Sequence, residues 1–390
     1  MFCPVCHSSR TSIFFEMLNV PVFCNVLWSE QQAAKTCQKG DIRLAFCSDC
    51  GFIYNTTFDS KLLDYCPDYE NSLDFSPRFQ AYAKSLGERL IKKYNLYQKK
   101  IIEIGCGKGD FLSLLCELGE NRGVGFDPSY IEHTEILNLV RDRVEFVQDV
   151  YSEKYRHYQG DFICCRHTLE HIEQPRNLLT LLRENLETGD EVPIFFEVPN
   201  AIDTFRRMAI WDIIYEHCCY FSPVSLSYIF ASCGFEVKAM SEEFQGQFLT
   251  LEAEMGKPKL TFNQTDVDDL KTLSRDVDVF AQTFNNKLIS WQKTLKNIAD
   301  NGQKAVTWGA GSKGVTFLNL IQEQTTVEYI VDINPRKQGK YVAGTGQQIV
   351  EPEFLSQYQP DVIIVMNSVY QDEIKHQVHD LGLNSELMFV

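Results

Sequence analysis

Four cysteines in two Cys-x-x-Cys pairs are the first residues whose spacing indicates a chemistry: Cys3, Cys6, Cys47 and Cys50. Two such pairs let four thiolates close a tetrahedron around Zn²⁺, and Gly51 after the second pair suits the tight turn that this requires. Four thiolates leave no coordination position open, so we expect a structural zinc that contributes folding energy. Chance thiols and a redox pair are the alternatives, with His7, Cys24 and Cys37 as other candidate ligands.

A glycine-rich segment follows a strand-like run at residues 100–104 and contains Gly105, Gly107 and Gly109. Glycines at this spacing let the backbone turn sharply beneath a bound ligand. Glu103 can face an ammonium group, and Asp127, at the end of the next strand, can take both hydroxyls of a ribose. Asp149, after the third strand, is expected near an adenine. These features resemble motifs I to III of class I S-adenosylmethionine (SAM) methyltransferases, and a nicotinamide-binding Rossmann domain is the alternative.

Two clusters of histidine and glutamate follow the predicted fourth and fifth strands. The first contains His167, Glu170 and His171, and the second contains Glu216 and His217. A histidine beside a carboxylate can act as a base near neutral pH. Carbon becomes nucleophilic only after loss of a proton α to a carbonyl, and the enolate needs hydrogen-bond donors. We therefore expect catalytic roles for Glu216, His217 and His167, with His167 also at the cofactor, whereas His171 is expected to be structural.

A second glycine loop opens the last predicted α/β unit and contains Gly309, Gly311 and Lys313. A glycine loop at the N-terminus of a helix attracts anions, and the lysine adds positive charge. More positive charge follows along the chain, at Arg336, Lys337 and Lys340. A nucleotide diphosphate would fit these residues, and the alternative is a solvated turn after a strand.

The elements that must position these residues follow from the apolar pattern. Strand-like runs alternate with helical patterns over residues 76–255, which indicates a parallel α/β sheet with an antiparallel end. A long helix follows, with apolar residues at alternating steps of three and four, and we expect it to pack across two domains rather than to form a coiled-coil dimer. Residues 1–75 are rich in turn residues and show little periodic structure.

We therefore predict an α/β protein built from four parts. A zinc-binding segment and substrate lid occupies residues 1–75, and a SAM-binding methyltransferase domain with a Rossmann-like sheet occupies residues 76–256. A connecting helix spans residues 257–300, and a C-terminal Rossmann-like α/β domain that binds the substrate nucleotide spans residues 301–390.

The composition narrows the class of partner. The chain has 390 residues, of which 44% are hydrophobic and 23% are charged, as in ordinary globular proteins. Its formal net charge of -16 speaks against a non-specific nucleic-acid binder or a protein of anionic membranes. No run approaches the roughly 18 apolar residues of a membrane span, and the N-terminus lacks a signal-peptide pattern. We expect a cytoplasmic protein whose 14 cysteines stay reduced.

The order of these motifs resembles the sugar C-methyltransferases of antibiotic deoxysugar pathways. Paired cysteine knuckles, a His-x-x-Glu-His segment, a Glu-His-x-x-Tyr-Phe-Ser segment and a C-terminal glycine loop follow one another over nearly the whole chain. The resemblance implies an N-terminal zinc domain, a central SAM domain and a C-terminal Rossmann-like domain. It also implies methylation of a carbon next to the ketone of a nucleotide-linked 4-keto-6-deoxysugar, usually C3.

The resemblance also assigns residues to the sugar site, which are His217, Glu216 and His167. It adds a tyrosine from the segment after the zinc domain, for which Tyr69 is the preferred candidate and Tyr65 the alternative, in a segment expected to form a lid. The family commonly reads Tyr-His-Glu-His where this chain reads Ile-Tyr-Glu-His. Tyr215 thus occupies the neighbouring position, and a loop shift would let it serve as a second catalytic tyrosine.

The predicted mechanism is enolate formation followed by in-line methyl transfer. His217, oriented by Glu216, removes the α proton, and His167 and a tyrosine stabilise the enolate. The rival functions are O- or N-methylation of another small molecule, a non-catalytic SAM- or nucleotide-binding module, and a dehydrogenase.

Overall fold

The computed structural model describes residues 1–63, 68–132, 140, 142–186, 191–259, 261–321 and 327–390. Tyr65, the alternative lid tyrosine, lies outside these residues. The strands of the N-terminal and central parts are β1 (Thr11–Pro21), β2 (Lys39–Cys47), β3 (Ile53–Asn55), β4 (Lys100–Ile104), β5 (Arg122–Phe126), β6 (Val144–Val147), β7 (Phe162–Arg166), β8 (Ile194–Pro199), β9 (Cys219–Tyr220), β10 (Phe235–Glu243) and β11 (Phe248–Met255). Those of the C-terminal part are β12 (Ala305–Trp308), β13 (Val327–Val331), β14 (Gln348–Val350), β15 (Val362–Val365) and β16 (Glu386–Phe389).

Helices connect these strands and cover their faces. They are α1 (Gln31–Lys35), α2 (Pro77–Tyr94), α3 (Asp110–Leu118), α4 (Pro175–Asn185), α5 (Ala201–Arg206), α6 (Pro223–Ser232), α7 (Gln264–Asp300), α8 (Ser312–Leu320), α9 (Leu355–Tyr358) and α10 (Gln371–Asp380).

The central sheet has seven strands in the order β10-β11-β8-β7-β4-β5-β6. Strand β11 runs antiparallel to β8 and to β10, and the remaining pairs are parallel. A dinucleotide-binding sheet has the order 3-2-1-4-5-6 without such an inserted antiparallel strand. Because β10 and β11 form an antiparallel end on an otherwise parallel sheet, the predicted α/β class with an antiparallel end is confirmed.

The C-terminal sheet has five parallel strands in the order β14-β13-β12-β15-β16. This is the order of the five parallel strands of the central sheet, and in both sheets a glycine loop follows the middle strand, β4 or β12. Ligands bind outside the carboxyl ends of the strands in such sheets, so both glycine loops lie where a ligand is expected.

The N-terminal part forms a third sheet, in the order β1-β2-β3-β9, and the expectation of little periodic structure there was wrong. Strand β1 has 11 residues, but irregularities between Ile13 and Phe15 and between Met17 and Val20 break its alternation of buried and exposed side chains. Strand β9 belongs to the central part of the chain and pairs with β3. The N-terminal sheet is therefore attached directly to the segment that carries His217.

The long helix α7 joins the N-terminal and C-terminal parts. Its first turn is held by a capping box between Asn263 and Asp266. The ring of Phe280 lies 5.4 Å from that of Phe15 in β1, and the ring of Trp291 lies 5.3 Å from that of Phe317 in α8. One apolar face thus packs on both parts, as predicted. Over the described residues, neither this helix nor any other has the apolar length to cross a membrane.

Candidate active site

One cavity of about 1130 Å³ collects most of the predicted site residues. Residues of the central sheet that line it include Glu103, Gly105, Gly107, Asp127, Asp149 and His167. Residues of the C-terminal sheet that line it include Gly309, Gly311, Lys313, Asp332, Asn334 and Lys337. The carboxyl ends of the two parallel sheets therefore open onto the same space.

The first glycine loop turns between β4 and α3. Gly105 has φ +69°, and a Cβ there would overlap the hydroxyl of Thr168, so this position requires glycine. Gly107 has φ +55°, and no atom lies within 4 Å of where its Cβ would be. The loop therefore presents bare backbone to the cavity. Gly109 is packed beneath it against the ring of Phe146 and is absent from the cavity wall.

Asp127 is fixed by the backbone around it. Its Oδ2 accepts the N–H of Gly107 at 2.9 Å, and its Oδ1 accepts the N–H of Ser129 at 2.8 Å. The hydroxyl of Ser129 also donates to Oδ1 at 2.6 Å, so Oδ2 is the oxygen that keeps a second lone pair for a ribose hydroxyl. Asp149 lies at the rim, where the hydroxyl of Tyr155 donates to it at 2.6 Å.

Glu103 is the strongest test of whether the residues fit SAM. Its side chain is buried, and its Oε2 has no hydrogen-bond partner among the described residues. Burial raises the pKa of Glu103 to about 8. An ammonium group bound in the cavity would supply the missing partner and return the carboxyl to its ionised form. The orphaned carboxyl, the open Gly107 and the fixed Asp127 together fit the amino-acid and ribose ends of SAM.

His217, His171 and Glu170 form a cluster on the cavity wall. One ligand-type atom from each of the three residues lies within 4.8 Å of the others. The rings of His171 and His217 are 4.9 Å apart and nearly perpendicular. Burial lowers the pKa of His217 well below its usual value, and the neighbouring His171 adds to this shift. His217 is therefore a neutral imidazole near neutral pH, the form in which one of its ring nitrogens has a free lone pair.

His167 lies at the other side of this cluster, in a left-handed backbone conformation with φ +49°. Its Nε2 is 2.7 Å from Oε1 of Glu197, and its Nδ1 is 3.9 Å from Oε1 of Glu170. Arg166 binds Glu197 with two N–H groups, at 2.8 and 3.0 Å, and the hydroxyl of Tyr82 also contacts it. Burial raises the pKa of Glu197, but Arg166 and His167 outweigh it and bring this pKa to about 2.

The carboxylate of Glu216 forms its hydrogen bonds with residues other than His217. Its Oε2 accepts the backbone N–H of Cys24 at 2.9 Å and also a hydrogen bond from the side chain of Tyr69. Its backbone carbonyl accepts a hydrogen bond from the ring of His171. Tyr69 lines the cavity, as expected of the lid tyrosine, whereas Glu216 does not. The contacts therefore give Glu216 a part in joining Cys24 and Tyr69 to the histidine segment.

Tyr215 is not brought to the cavity. Its side chain is buried, its hydroxyl accepts the N–H of Asp59 at 2.9 Å, and its ring stacks on Phe58. A Cβ on Gly40 of β2 would overlap its ring. Tyr215 thus anchors the His217 segment to the N-terminal part.

The second glycine loop repeats the geometry of the first. Asp332, at the end of β13, accepts the N–H of Ala310 on Oδ2 and that of Asn334 on Oδ1, both at 2.8 Å. Lys337 donates to the carbonyl of Ala310 at 3.1 Å, and Lys313 pairs with Asp212. The cavity therefore has a second fixed carboxylate after a parallel strand, and Nζ of Lys337 lies 4.0 Å from its Oδ2.

Arg336 and Lys340 lie apart from the cavity wall. Arg336 donates to Oε2 of Glu70 at 3.1 Å, and the amide of Asn334 donates to Oε1 of the same carboxylate at 3.1 Å. Lys340 bonds the hydroxyl of Ser29 at 2.9 Å. These contacts join Glu70 and Ser29 of the N-terminal part to the loops of the C-terminal sheet.

The four knuckle cysteines converge as predicted. The sulfur atoms of Cys3 and Cys50 are 3.6 Å apart, those of Cys6 and Cys47 are 3.5 Å apart, and all four lie within 4.8 Å of one another. A tetrahedral zinc with Zn–S bonds of about 2.3 Å holds its sulfurs about 3.8 Å apart, so the donor set fits Zn²⁺. None of the four lines the cavity.

Some residues that the structure places at the site were given no role on the basis of the sequence. Glu170 received no role and His171 was expected to be structural, although both belong to the cluster around His217. Glu197 and Asp332 received no role either. Their signal was a carboxylate within or directly after an apolar strand, the same signal that identified Asp127.

Comparison with known proteins finds matches to two parts of the chain. A family model described as a methyltransferase domain matches residues 76–239, and one described as a C-methyltransferase C-terminal domain matches residues 264–386. A tRNA U34 carboxymethyltransferase of Campylobacter fetus is 28% identical over 37% of this chain and 55% of its own length. A ubiquinone biosynthesis O-methyltransferase of Escherichia coli is 25% identical over 35% of this chain and 58% of its own length. The matches thus span little more than half of these relatives.

Among solved structures, the 1,6-didemethyltoxoflavin-N1-methyltransferase of Burkholderia thailandensis aligns with 47% of this chain and 83% of its own, with 14% identity and a TM-score of 0.36. The nicotinamide-binding alternative receives no support from the strand order or from the family models. Residues 76–239 therefore form a SAM-dependent methyltransferase domain of class I fold, and residues 264–386 form a C-methyltransferase C-terminal domain.

Proposed function

We propose that this protein is a C-methyltransferase that transfers the methyl group of SAM to a carbon α to the ketone of a nucleotide-linked sugar. One observation carries the proposal, namely the single cavity that both glycine loops and the His217 cluster line. Its volume of about 1130 Å³ exceeds the roughly 300–1,000 Å³ of ordinary single-ligand sites, so it has room for a cofactor and a second ligand.

The histidine cluster supports transfer to carbon. SAM supplies an electrophilic methyl group when bound, held by Glu103 at its ammonium and by Asp127 at its ribose. A ketone-bearing substrate needs a base for its α proton, and His217 is a neutral imidazole on the cavity wall. Transfer to oxygen or nitrogen needs less assistance, so a half-buried histidine pair with an adjacent buried carboxyl favours carbon.

The C-terminal loop supports a nucleotide on the substrate. Asp332 is fixed in the same way as Asp127, which suits a second ribose. Lys337 lies beside it, Lys313 lines the same cavity, and a diphosphate would compete with Asp212 for Lys313. The catalytic residues of this proposal are His217, His167 and Tyr69, with Glu216 as a positioning residue.

The N-terminal part serves the same site indirectly. We propose that the four cysteines hold one structural zinc, which fixes the sheet whose last strand follows His217. Thiolates of this kind persist in a reducing compartment, which supports a cytoplasmic location.

The proposal is tested with a panel of nucleoside diphosphate 4-keto-6-deoxysugars. Mass spectrometry after incubation with the protein and SAM should find one sugar that gains a single methyl group. The same sugar, incubated in D₂O with S-adenosylhomocysteine in place of SAM, should exchange its α hydrogen for deuterium. Methyl gain without exchange would favour O-methylation. If no panel sugar gained methyl while SAM remained bound, the nucleotide-sugar proposal would be wrong.

A further inference from the structure

Glu170 is a buried carboxyl at the cavity that the proposed mechanism leaves without a role. It lies in a short 3-10 turn, Leu169–His171, directly after β7. Its side chain is 2% exposed, and its Oε2 has no hydrogen-bond partner among the described residues. It nevertheless lines the cavity and lies within 4.8 Å of ligand-type atoms of His171 and His217. A buried carboxyl oxygen without a partner at a cavity wall indicates that a ligand supplies the partner.

His171 is less suited to donate to a ligand at this point. Its ring donates a hydrogen bond to the backbone carbonyl of Glu216. Burial lowers the pKa of His171 to about 4, so near neutral pH the ring carries a single proton, and that proton is committed to this bond. The other ring nitrogen of His171 is then a hydrogen-bond acceptor. The ring nitrogen of His217 that would take the α proton is also an acceptor.

Glu170, unlike these histidine nitrogens, can donate a hydrogen bond to a ligand. Burial raises its pKa to about 8, which keeps the carboxyl protonated at neutral pH. His167 contacts the other oxygen of this carboxyl at 3.9 Å and is itself held by Glu197 at 2.7 Å. The cluster therefore contains a base, His217, beside a neutral acid, and both face the same cavity.

We propose that Glu170 is a catalytic acid that donates a hydrogen bond to the enolate oxygen of the substrate while His217 takes the α proton. The inference rests on the proposed C-methylation. The C–H electron pair forms the carbon–carbon double bond, the carbonyl π pair moves to oxygen, and the proton goes to the imidazole of His217. Glu170 keeps its own proton in the hydrogen bond, and the carbonyl re-forms when the carbon–methyl bond forms and the sulfur takes the leaving pair.

The spacing suits these roles. The α carbon and the carbonyl oxygen are separated by a single atom, so their base and acid must be close neighbours, as His217 and Glu170 are. A donor placed in advance at a developing oxyanion is worth about 100-fold in rate when it is removed alone.

The test compares Glu170→Met, which removes the donor, with Glu170→Gln, which keeps a weaker one. The readout is the rate of α-hydrogen exchange of the responsive panel sugar in D₂O, with S-adenosylhomocysteine bound. We expect about 100-fold slower exchange in the Met variant and an intermediate rate in the Gln variant. Glu173→Gln, at an exposed glutamate of the same segment, is the matched control and should exchange at the wild-type rate. Exchange at the wild-type rate in the Met variant would overturn the proposal.

Two measurements that need no substrate separate this inference from the proposed function. The infrared difference between wild type and Glu170→Gln at pH 7 should contain the carbonyl band of a protonated carboxyl, and an ionised Glu170 would overturn the inference even if no sugar reacts. Metal analysis should find the same metal content in both proteins. If wild type held a second metal ion that Glu170→Gln loses and Glu173→Gln keeps, then Glu170, His171 and His217 would form a metal site. Glu170 would in that case not be a catalytic acid.

Discussion

Buried carboxyls around the cavity differ in the partners that each one has. Glu197 is bound by both N–H groups of Arg166, which hold its pKa at about 2 although burial acts in the other direction. Glu103 and Glu170 each have one oxygen without a partner among the described residues, and burial raises the pKa of each to about 8. Ionised structural carboxyls and neutral ones awaiting a ligand therefore lie within one site.

Glu103→Gln should stabilise the ligand-free protein and weaken the binding of S-adenosylhomocysteine. The folded chain holds the Glu103 proton up to pH about 8, whereas the unfolded chain releases it near pH 4.5, so this residue lowers stability as the pH rises between these values. The variant should gain on the order of 2 kcal/mol over wild type at pH 8 and much less at pH 5. Its affinity for S-adenosylhomocysteine should fall by about 10- to 100-fold.

Thermal unfolding at both pH values and calorimetric titration check this prediction. Glu117→Gln, at an exposed glutamate of α3, is the control and should change neither quantity. Unchanged affinity in Glu103→Gln would show that this carboxyl does not hold the ammonium group.

His217→Ala should abolish methyl transfer while leaving the cofactor bound. Loss of a general base costs about 10²- to 10⁴-fold, whereas the glycine loop and Asp127 are unaffected. Exchange of the substrate's α hydrogen and the dissociation constant for S-adenosylhomocysteine are the two measurements, with His379→Ala at an exposed histidine as control. Full exchange in His217→Ala would disprove its assignment as the base.

Sequence spacing identified residue types more successfully than their contacts. Gly105, Gly107 and Asp127 do line one cavity and the four cysteines do converge, because each motif is local or has a fixed ligand geometry. The carboxylate of Glu216 was expected on His217, its neighbour in sequence, yet it binds the N–H of Cys24, 192 residues away. Such a partner depends on how the N-terminal sheet docks, which no local pattern encodes.

At the scale of elements, β9 connects the zinc-binding part to the chemistry. It follows Glu216 and His217 by one residue and pairs with β3, which lies just after the second cysteine knuckle. The sheet was not foreseen, because the bulges of β1 remove the alternation by which a strand is recognised. Strands β4, β7 and β8 were foreseen because they are buried on both faces and read as nearly continuous apolar runs.

Cys47→Ser should therefore lose zinc and, with it, both stability and turnover. We expect zinc content to fall from one ion per chain to none, and the unfolding midpoint to fall by several degrees, since ~1 kcal/mol corresponds to about 2–4 °C. Metal analysis and thermal unfolding measure these changes. Cys37→Ser, outside the four-sulfur cluster, should retain the ion. Zinc retained at wild-type content in Cys47→Ser would contradict the assignment.

At the scale of the whole molecule, the central and C-terminal sheets open onto one cavity, and α7 packs against β1 and α8. The apolar stripe of α7 predicted its contacts with two parts of the chain, because steps of three and four place those residues on one helix face. The shared cavity was not predictable, since it arises from how the two parallel sheets face each other. The equivalent placement of Asp127 and Asp332 became visible only in the folded chain.

We expect the affinity for the substrate and the affinity for the cofactor to depend on different glycine loops. Lys313→Met should raise the KM for the nucleotide-linked substrate about 10-fold, because it removes a cation at the C-terminal loop. Its affinity for S-adenosylhomocysteine should stay within twofold of wild type. Lys375→Met, at an exposed lysine of α10, is the control. A matching loss of S-adenosylhomocysteine affinity in Lys313→Met would place this lysine at the other end of the cavity.

The single undivided cavity also has a kinetic consequence. Because both glycine loops open onto one space, the methyl donor and its acceptor meet directly and no group on the protein needs to carry the methyl between them. Initial-rate measurements at several fixed concentrations of one ligand should then give intersecting reciprocal plots, as expected of a ternary complex, and not the parallel lines of a ping-pong exchange. S-adenosylhomocysteine should compete with SAM for the protein, and a bound acceptor should slow the dissociation of S-adenosylhomocysteine.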